Sequence, residues 1–308
     1  MASHFPDKSR VVFYGDSITR LGGGILRVAV QYRALFPERD VRFFNTGISG
    51  GTLEAAMLYF NEWVAPLHPT HIVLAFGVND ATSIFTRRLE DDDAESARIG
   101  GELATFRQRY AALLERIDAL GAMAILRTIT PFDCSDRSDD GVAPADSGKA
   151  ETFRRVAMEI KELAAERRLE SIDDWTRMST LLADGENDFM PDRIHPADRG
   201  QWRMAETFLA SQGLPIAPYL PREKTAAEAE LLEWDALSQR FANVLSAEWT
   251  FVRDESLDTD ARQAKVRAWL DENEGKKGIN PILFNFANDY LRDKPQVATL
   301  MAQIDRKL

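Results

Sequence analysis

The chain has 308 residues, 44% hydrophobic and 28% charged, a balance that suits a folded chain with a sizeable core. Its net charge of -11 argues against nucleic acid and against anionic membranes as partners, because both call for a basic face. One cysteine, Cys134, excludes an intrachain disulfide and a cysteine-based zinc site, and no run approaches the ~18 apolar residues of a membrane span.

The first residues, Met1 to Lys8, contain no apolar core of signal-peptide length, so the expected location is cytoplasmic. From residue 10 to about 212, short apolar runs alternate with longer amphipathic segments. The runs Val11–Tyr14, Val41–Phe44, Ile72–Phe76, Ala122–Ile129 and Ser171–Trp175 read as strands buried on both faces. Between them the spacing predicts helices over Ile25–Leu35, Leu53–Val64, Leu103–Leu120 and Thr152–Arg168. This βαβα order predicts an α/β fold, a three-layer α/β/α sandwich around a five-stranded parallel sheet. Such sheets bind ligands at the carboxyl ends of their strands, which makes the segment after each strand the place to look for chemistry.

Strand one runs into Gly15-Asp16-Ser17-Ile18, which presents one hydroxyl; taken alone, a serine there reads as a helix cap. Asp16 is expected to brace the turn. Strand two runs into Asn45-Thr46-Gly47-Ile48-Ser49-Gly50-Gly51, whose glycines either expose backbone amides to an anion or allow close packing. Strand three runs into Gly77-Val78-Asn79-Asp80, where the Asn79 amide brings two uncharged donors to the rim or caps a helix. The charged segment 87–95 reads as a solvated loop beside that rim, with a flap as its alternative. Strand four is followed by Thr130–Asp136, in which Cys134 has no basic neighbour and is expected to be inert.

After strand five comes Asp192-Arg193-Ile194-His195-Pro196. Of His4, His68, His71 and His195, only His195 has a carboxylate three residues ahead. That spacing lets Asp192 accept from the Nδ1–H and leaves Nε2 to face a hydroxyl. The same pair could serve as a surface ion pair or half a metal site, but the chain supplies no further ligand-spaced His or Cys to complete a metal site.

In order and spacing, the Gly-Asp-Ser turn with Ser17, the Gly-rich turn with Gly50, Asn79 and the Asp192/His195 pair resemble the SGNH, or GDSL, hydrolases, a family of esterases and lipases. The resemblance covers residues 10 to about 212 and implies a flavodoxin-like fold. It implies Ser17, Asp192 and His195 as catalytic residues, with an oxyanion hole made by the Ser17 and Gly50 N–H groups and the Asn79 side chain. No metal or organic cofactor is then required. The implied substrate is a small-molecule ester or acylated carbohydrate. An acetyl ester is the first expectation, and longer acyl chains of the lipase, lysophospholipase or thioesterase kind are the second. A non-catalytic interaction module on the same scaffold is the rival from another class.

Pro215, Pro218 and Pro221 recur every three residues and predict a stiff extended linker, dividing the chain into 1–214 and 215–308. Beyond it Trp234, Leu237, Phe241, Val244 and Leu245 follow helical spacing, and Asn280-Pro281 marks a helix start. Three or four helices are expected between 223 and 306. Their apolar stripes are expected to pack on one another or on the main domain, with a homo-oligomer as the alternative.

Overall fold

Val11, Val12, Phe13 and Tyr14 are β-branched and aromatic, and they form the central strand β1 (Arg10–Gly15) of a wholly parallel sheet. In the computed structural model, which describes residues 5–86, 92–135, 146–186, 190–226, 228–254 and 256–306, the order is β2-β1-β3-β4-β5. The other strands are β2 (Arg42–Asn45), β3 (His71–Ala75), β4 (Met123–Arg127) and β5 (Glu170–Ile172). Val12 lies opposite Phe44 on one side and Ile72 on the other. Helices α1 (Ser17–Leu21) and α2 (Gly23–Leu35) follow β1, while α3 (Leu53–Tyr59), extended by a π-helical turn over Phe60–Val64, follows β2. Next come α4 (Val78–Thr86) and α5 (Asp92–Ala119) after β3, α6 (Ser147–Arg167) after β4, and α7 (Asp174–Ala183) and α8 (Asp198–Ser211) after β5.

Alternation along β1 divides the core between two helical layers. Phe13 meets Phe43 and Phe208 on the side where α2 packs with α8. Tyr14, one residue on, meets Phe60 and Phe76 on the opposite side, where α3, α5 and α6 pack. Each such fully buried side chain contributes about 1.5–3 kcal/mol through loss of contact with water. The expected three-layer α/β fold is therefore present.

Two local expectations are corrected. Strand β5 ends at Ile172, because Asp173 caps α7 by accepting from the Thr176 N–H at 3.0 Å, so Trp175 is helical. Helix α5 begins at Asp92 rather than Leu103; Arg98 pairs with Glu95 one turn back and also donates to the Ile84 carbonyl at 2.9 Å. Residues 92–95 of the expected loop or flap are thus helical, and 87–91 lie outside the described residues.

Beyond α8 the extended segment 214–221 lies along the surface of the sandwich. The Trp202 indole donates to the Ala217 carbonyl at 3.1 Å, and the Tyr219 hydroxyl donates to Asp198 at 3.0 Å. Helices α9 (Arg222–Thr225), α10 (Ala229–Ala247, with a π-helical turn over Glu248–Val252), α11 (Thr259–Asn273), α12 (Pro281–Asp293) and α13 (Val297–Arg306) follow. As expected, Asn280 caps α12 and Pro281 opens it. Leu231, Trp234, Leu237, Phe241, Val244 and Leu245 of α10 are all buried within the chain. Phe241 meets Trp63 at 5.7 Å, and Asp305 near the chain's end pairs with Arg10 of β1. Among the described residues, no helix is long and apolar enough to cross a membrane.

Candidate active site

At the carboxyl end of β1, Asp16 is the N-cap of α1, its Oδ1 accepting from the Ile18 N–H at 3.0 Å. Ser17 is therefore the first residue of a helix, and its own N–H belongs to the first-turn amides that lack an intrahelical acceptor. The short helix fits this close because Gly47 lies against it. A Cβ on Gly47 would stand 2.2 Å from the Arg20 nitrogen and 2.7 Å from the Thr19 carbonyl carbon.

The loop ahead of α8 brings the histidine to the serine across the sheet rim. Ser17 Oγ lies 2.9 Å from His195 Nε2, and His195 Nδ1 lies 2.6 Å from Asp192 Oδ2. The other Asp192 oxygen accepts from the Ile194 N–H at 3.0 Å and the His195 N–H at 2.7 Å, so the carboxylate is fixed by the backbone it follows. Partial burial pushes the Asp192 carboxyl up, but the His195 ring and these two amides outweigh it and hold it well below the usual carboxylate range. The Asp192 hydrogen bond in turn raises His195 above the ordinary histidine value, against the opposing effect of its own burial. Asp16 is nearly fully buried, and that burial pushes it up to about 7 despite the Ile18 amide and the nearby His195.

The loop after β2 is laid along the same rim, with the Ile48 N–H donating to the Gly15 carbonyl at 2.8 Å. Gly50 adopts φ +71°, a left-handed conformation open to glycine at no steric cost. Two of the loop's glycines thus divide the roles between them, Gly47 packing on α1 and Gly50 making the exposed turn. Asn79 stands in the first turn of α4, and its Nδ2 donates one hydrogen to the Gly51 carbonyl at 2.9 Å, leaving the second. Ser17, Asp192 and His195 are thus brought into direct hydrogen-bonding contact, and Gly50 and Asn79 are joined to each other through Gly51.

The other candidates lie elsewhere. His71 is buried at the base of β3 with Nδ1 on Thr70 Oγ1 at 2.8 Å; His68 is an exposed helix cap, and His4 lies outside the described residues. Cys134 lines a groove of about 470 Å³ with Phe132, Trp175 and Leu182, and burial pushes its thiol up, which disfavours the thiolate.

Some contributors escaped the sequence reading. Arg193, held at φ +70°, donates to the Asp133 and Ser135 carbonyls at 2.9 Å each and so ties the histidine loop to the loop after β4. From the far end of the chain, α10 reaches the rim as well: Gln239 donates to the Arg20 carbonyl at 3.1 Å, and Asn243 accepts from Arg20 at 3.1 Å. Ser246 and Trp249 reach the loop after β2. The one sequence signal of Gln239, Asn243 and Ser246 is a polar stripe at helical spacing, which reads as a solvated face.

The model of the GDSL-like lipase/acylhydrolase family matches residues 13–203. Among curated proteins no sequence matches this chain. Solved structures with a similar fold include a gut microbial diltiazem-metabolizing enzyme, 17% identical, covering 99% of this chain and 96% of that one with a TM-score of 0.73. Another is an acetylxylan esterase from Geobacillus stearothermophilus, 21% identical, covering 70% of this chain and 99% of that one with a TM-score of 0.53. Variants of that esterase described as catalytic mutants replace a serine, an aspartate and a histidine with alanine.

Proposed function

The chain belongs to the GDSL-like lipase/acylhydrolase family, hydrolases of ester bonds, and from that premise we propose that it is a serine esterase acting on small acyl esters, acetyl esters foremost. The reading is carried by the continuous relay from Ser17 Oγ through the His195 ring to Asp192, at 2.9 and 2.6 Å. Ser17 Oγ attacks the ester carbonyl carbon while its proton passes to His195 Nε2, and Asp192 stabilises the imidazolium. The negative charge on the former carbonyl oxygen is met by the Ser17 and Gly50 N–H groups and the second Asn79 amide hydrogen. Collapse expels the alcohol, which takes the proton from His195. Water then attacks the acyl-serine with His195 again as base, releasing the acid and restoring Ser17. No step calls for a cofactor.

Residues 1–214 carry this chemistry in our reading, and 215–308 form an extension that supports it. The acetyl preference is supported by the fold likeness to an acetylxylan esterase, whose catalytic mutants fall on the same three residue types. Longer acyl chains are the second reading; it is supported by the groove beside Phe132, Trp175 and Leu182, whose Asp133 and Ser135 carbonyls hold Arg193 of the histidine loop. A fluorophosphonate probe and a series of nitrophenyl esters test both. Labelling at Ser17, loss of turnover by roughly 10⁴–10⁶ in Ser17→Ala and a rate maximum at acetate are expected. A long-chain optimum selects the second reading; an unlabelled folded protein leaves a non-catalytic module. Asn79→Ala is expected to lower kcat by about 10²–10³, and wild-type turnover in that variant would remove Asn79 from the oxyanion hole. Sedimentation equilibrium of the full chain decides whether the C-terminal helices also mediate self-association.

A further inference from the structure

We infer that the C-terminal helix α10 is part of the catalytic apparatus: Trp249 and Ser246 clamp the Ser49–Gly50 peptide so that its N–H stays aimed at the developing oxyanion. The inference rests on the esterase reading, in which the Gly50 N–H is an oxyanion donor.

The peptide in question sits between two that are held from the same helix. On one side the Ser49 N–H donates to Ser246 Oγ at 2.9 Å; on the other the Trp249 indole N–H donates to the Gly50 carbonyl at 2.9 Å. The Gly51 N–H closes the turn on the Ile48 carbonyl at 2.9 Å. Among the described residues, the Gly50 N–H between these anchors donates to no group. A glycine at φ +71° has wide torsional freedom, so without outside anchors this amide would sample other directions. An oxyanion donor is effective only when its direction is fixed before the charge develops.

The anchors are themselves fixed. Ser246 is fully buried and donates its hydroxyl hydrogen to the Ala242 carbonyl at 2.8 Å, which turns a lone pair toward Ser49. Trp249 lies three residues on, on the same face of the helix, within the π-helical turn that ends α10. Its ring is covered by the Arg253 guanidinium at 4.2 Å and abuts Tyr59 edge-on at 6.4 Å. Both residues lie outside the part of the chain that matches the family model, residues 13–203, so the clamp is an addition of this chain's extension.

The test uses the full-length protein. Trp249→Phe keeps an aromatic ring but removes the indole donor; Ser246→Ala removes the opposite anchor. Each is expected to lower kcat on nitrophenyl acetate by about 10- to 100-fold with KM within about twofold, since misdirecting a donor costs transition-state binding and not substrate binding. Affinity for phenylboronic acid, which forms a tetrahedral adduct on a catalytic serine, is expected to fall in parallel, at a temperature where circular dichroism reports wild-type structure. Should Trp249→Phe fail to fold, Ser246→Ala decides by the same readings. Wild-type kcat in a folded variant, or a fall in kcat with unchanged boronate affinity, overturns the clamp provided that Ser17→Ala is inactive. Turnover that survives in Ser17→Ala overturns the esterase reading and the clamp with it.

Discussion

In the proposed mechanism His195 accepts a proton from Ser17 only while its ring is neutral, so the acid limb of kcat/KM is expected to report its titration in the free enzyme. Asp192 raises that titration above the ordinary histidine value, and activity is expected to fall as pH drops through a midpoint above it. In Asp192→Asn the midpoint is expected to move to lower pH while the plateau also falls; a limb that stays put would detach Asp192 from the histidine. Asp16 gives a stability signature of opposite kind. Its folded-state value of about 7 lies above that of an unfolded carboxyl, so the folded chain binds the extra proton between roughly pH 4 and pH 7 and loses stability as pH rises through that window. Asn is as good a cap and carries no charge. Asp16→Asn is therefore expected to match wild type in thermal unfolding near pH 4 and exceed it near pH 8, by roughly 1–4 kcal/mol; equal midpoints at pH 8 would refute the burial penalty. Asp192 and His195 were legible in the sequence because a three-residue spacing lets the carboxylate meet the following amides and the ring together. Arg193, between them, was not: its role depends on a left-handed backbone and on carbonyls 58 and 60 residues away.

At the scale of elements, the packing of α1 on the loop after β2 makes its own prediction. A methyl group on Gly47 would meet the Arg20 and Thr19 backbone rather than yielding side chains, so α1 must shift, and Ser17 shifts with it. Gly47→Ala is expected to lower the melting temperature and reduce kcat by at least about tenfold, whereas Gly101→Ala, in α5 where a Cβ meets nothing within 4 Å, is expected to leave kcat unchanged. The strands were legible because residues buried on both faces leave an uninterrupted apolar run, and the order of chemistry-bearing segments followed from the crossover rule. Element boundaries were less so. The start of α5 rests on Arg98 reaching Ile84 in the preceding helix, a contact no local pattern announces. Gln239, Asn243 and Ser246 look like a wet face when read as a list of residues, and Trp249 looks like another core residue. They are buried or half-buried because another part of the chain supplies their partners.

Over the whole molecule, the seam between the extension and the sandwich is held by charge as well as by apolar contact. Glu248 of α10 is buried with Arg262 at 3.2 Å, Lys294 at 2.7 Å and the Tyr290 hydroxyl at 2.8 Å, and Glu62 from the π-helical turn after α3 meets the same two cations at 3.1 and 2.6 Å. Two carboxylates against two cations leave the cluster neutral, which is the condition under which buried charge is tolerated. Because Glu62 comes from the sandwich and the other partners from the extension, opening the seam costs the two ion pairs that Glu62 makes with Arg262 and Lys294. Thermal unfolding is therefore expected to be a single transition, with tryptophan fluorescence, to which both parts contribute, and far-ultraviolet circular dichroism superimposing. Glu248→Gln removes one charge and leaves Arg262 and Lys294 in excess, which costs about 3–5 kcal/mol and lowers the midpoint by roughly 5–15 °C. The two signals are expected to move together in that variant. If they separate instead, the two parts unfold independently, and the extension's hold on the loop at Gly50 is weaker than the shared cluster implies.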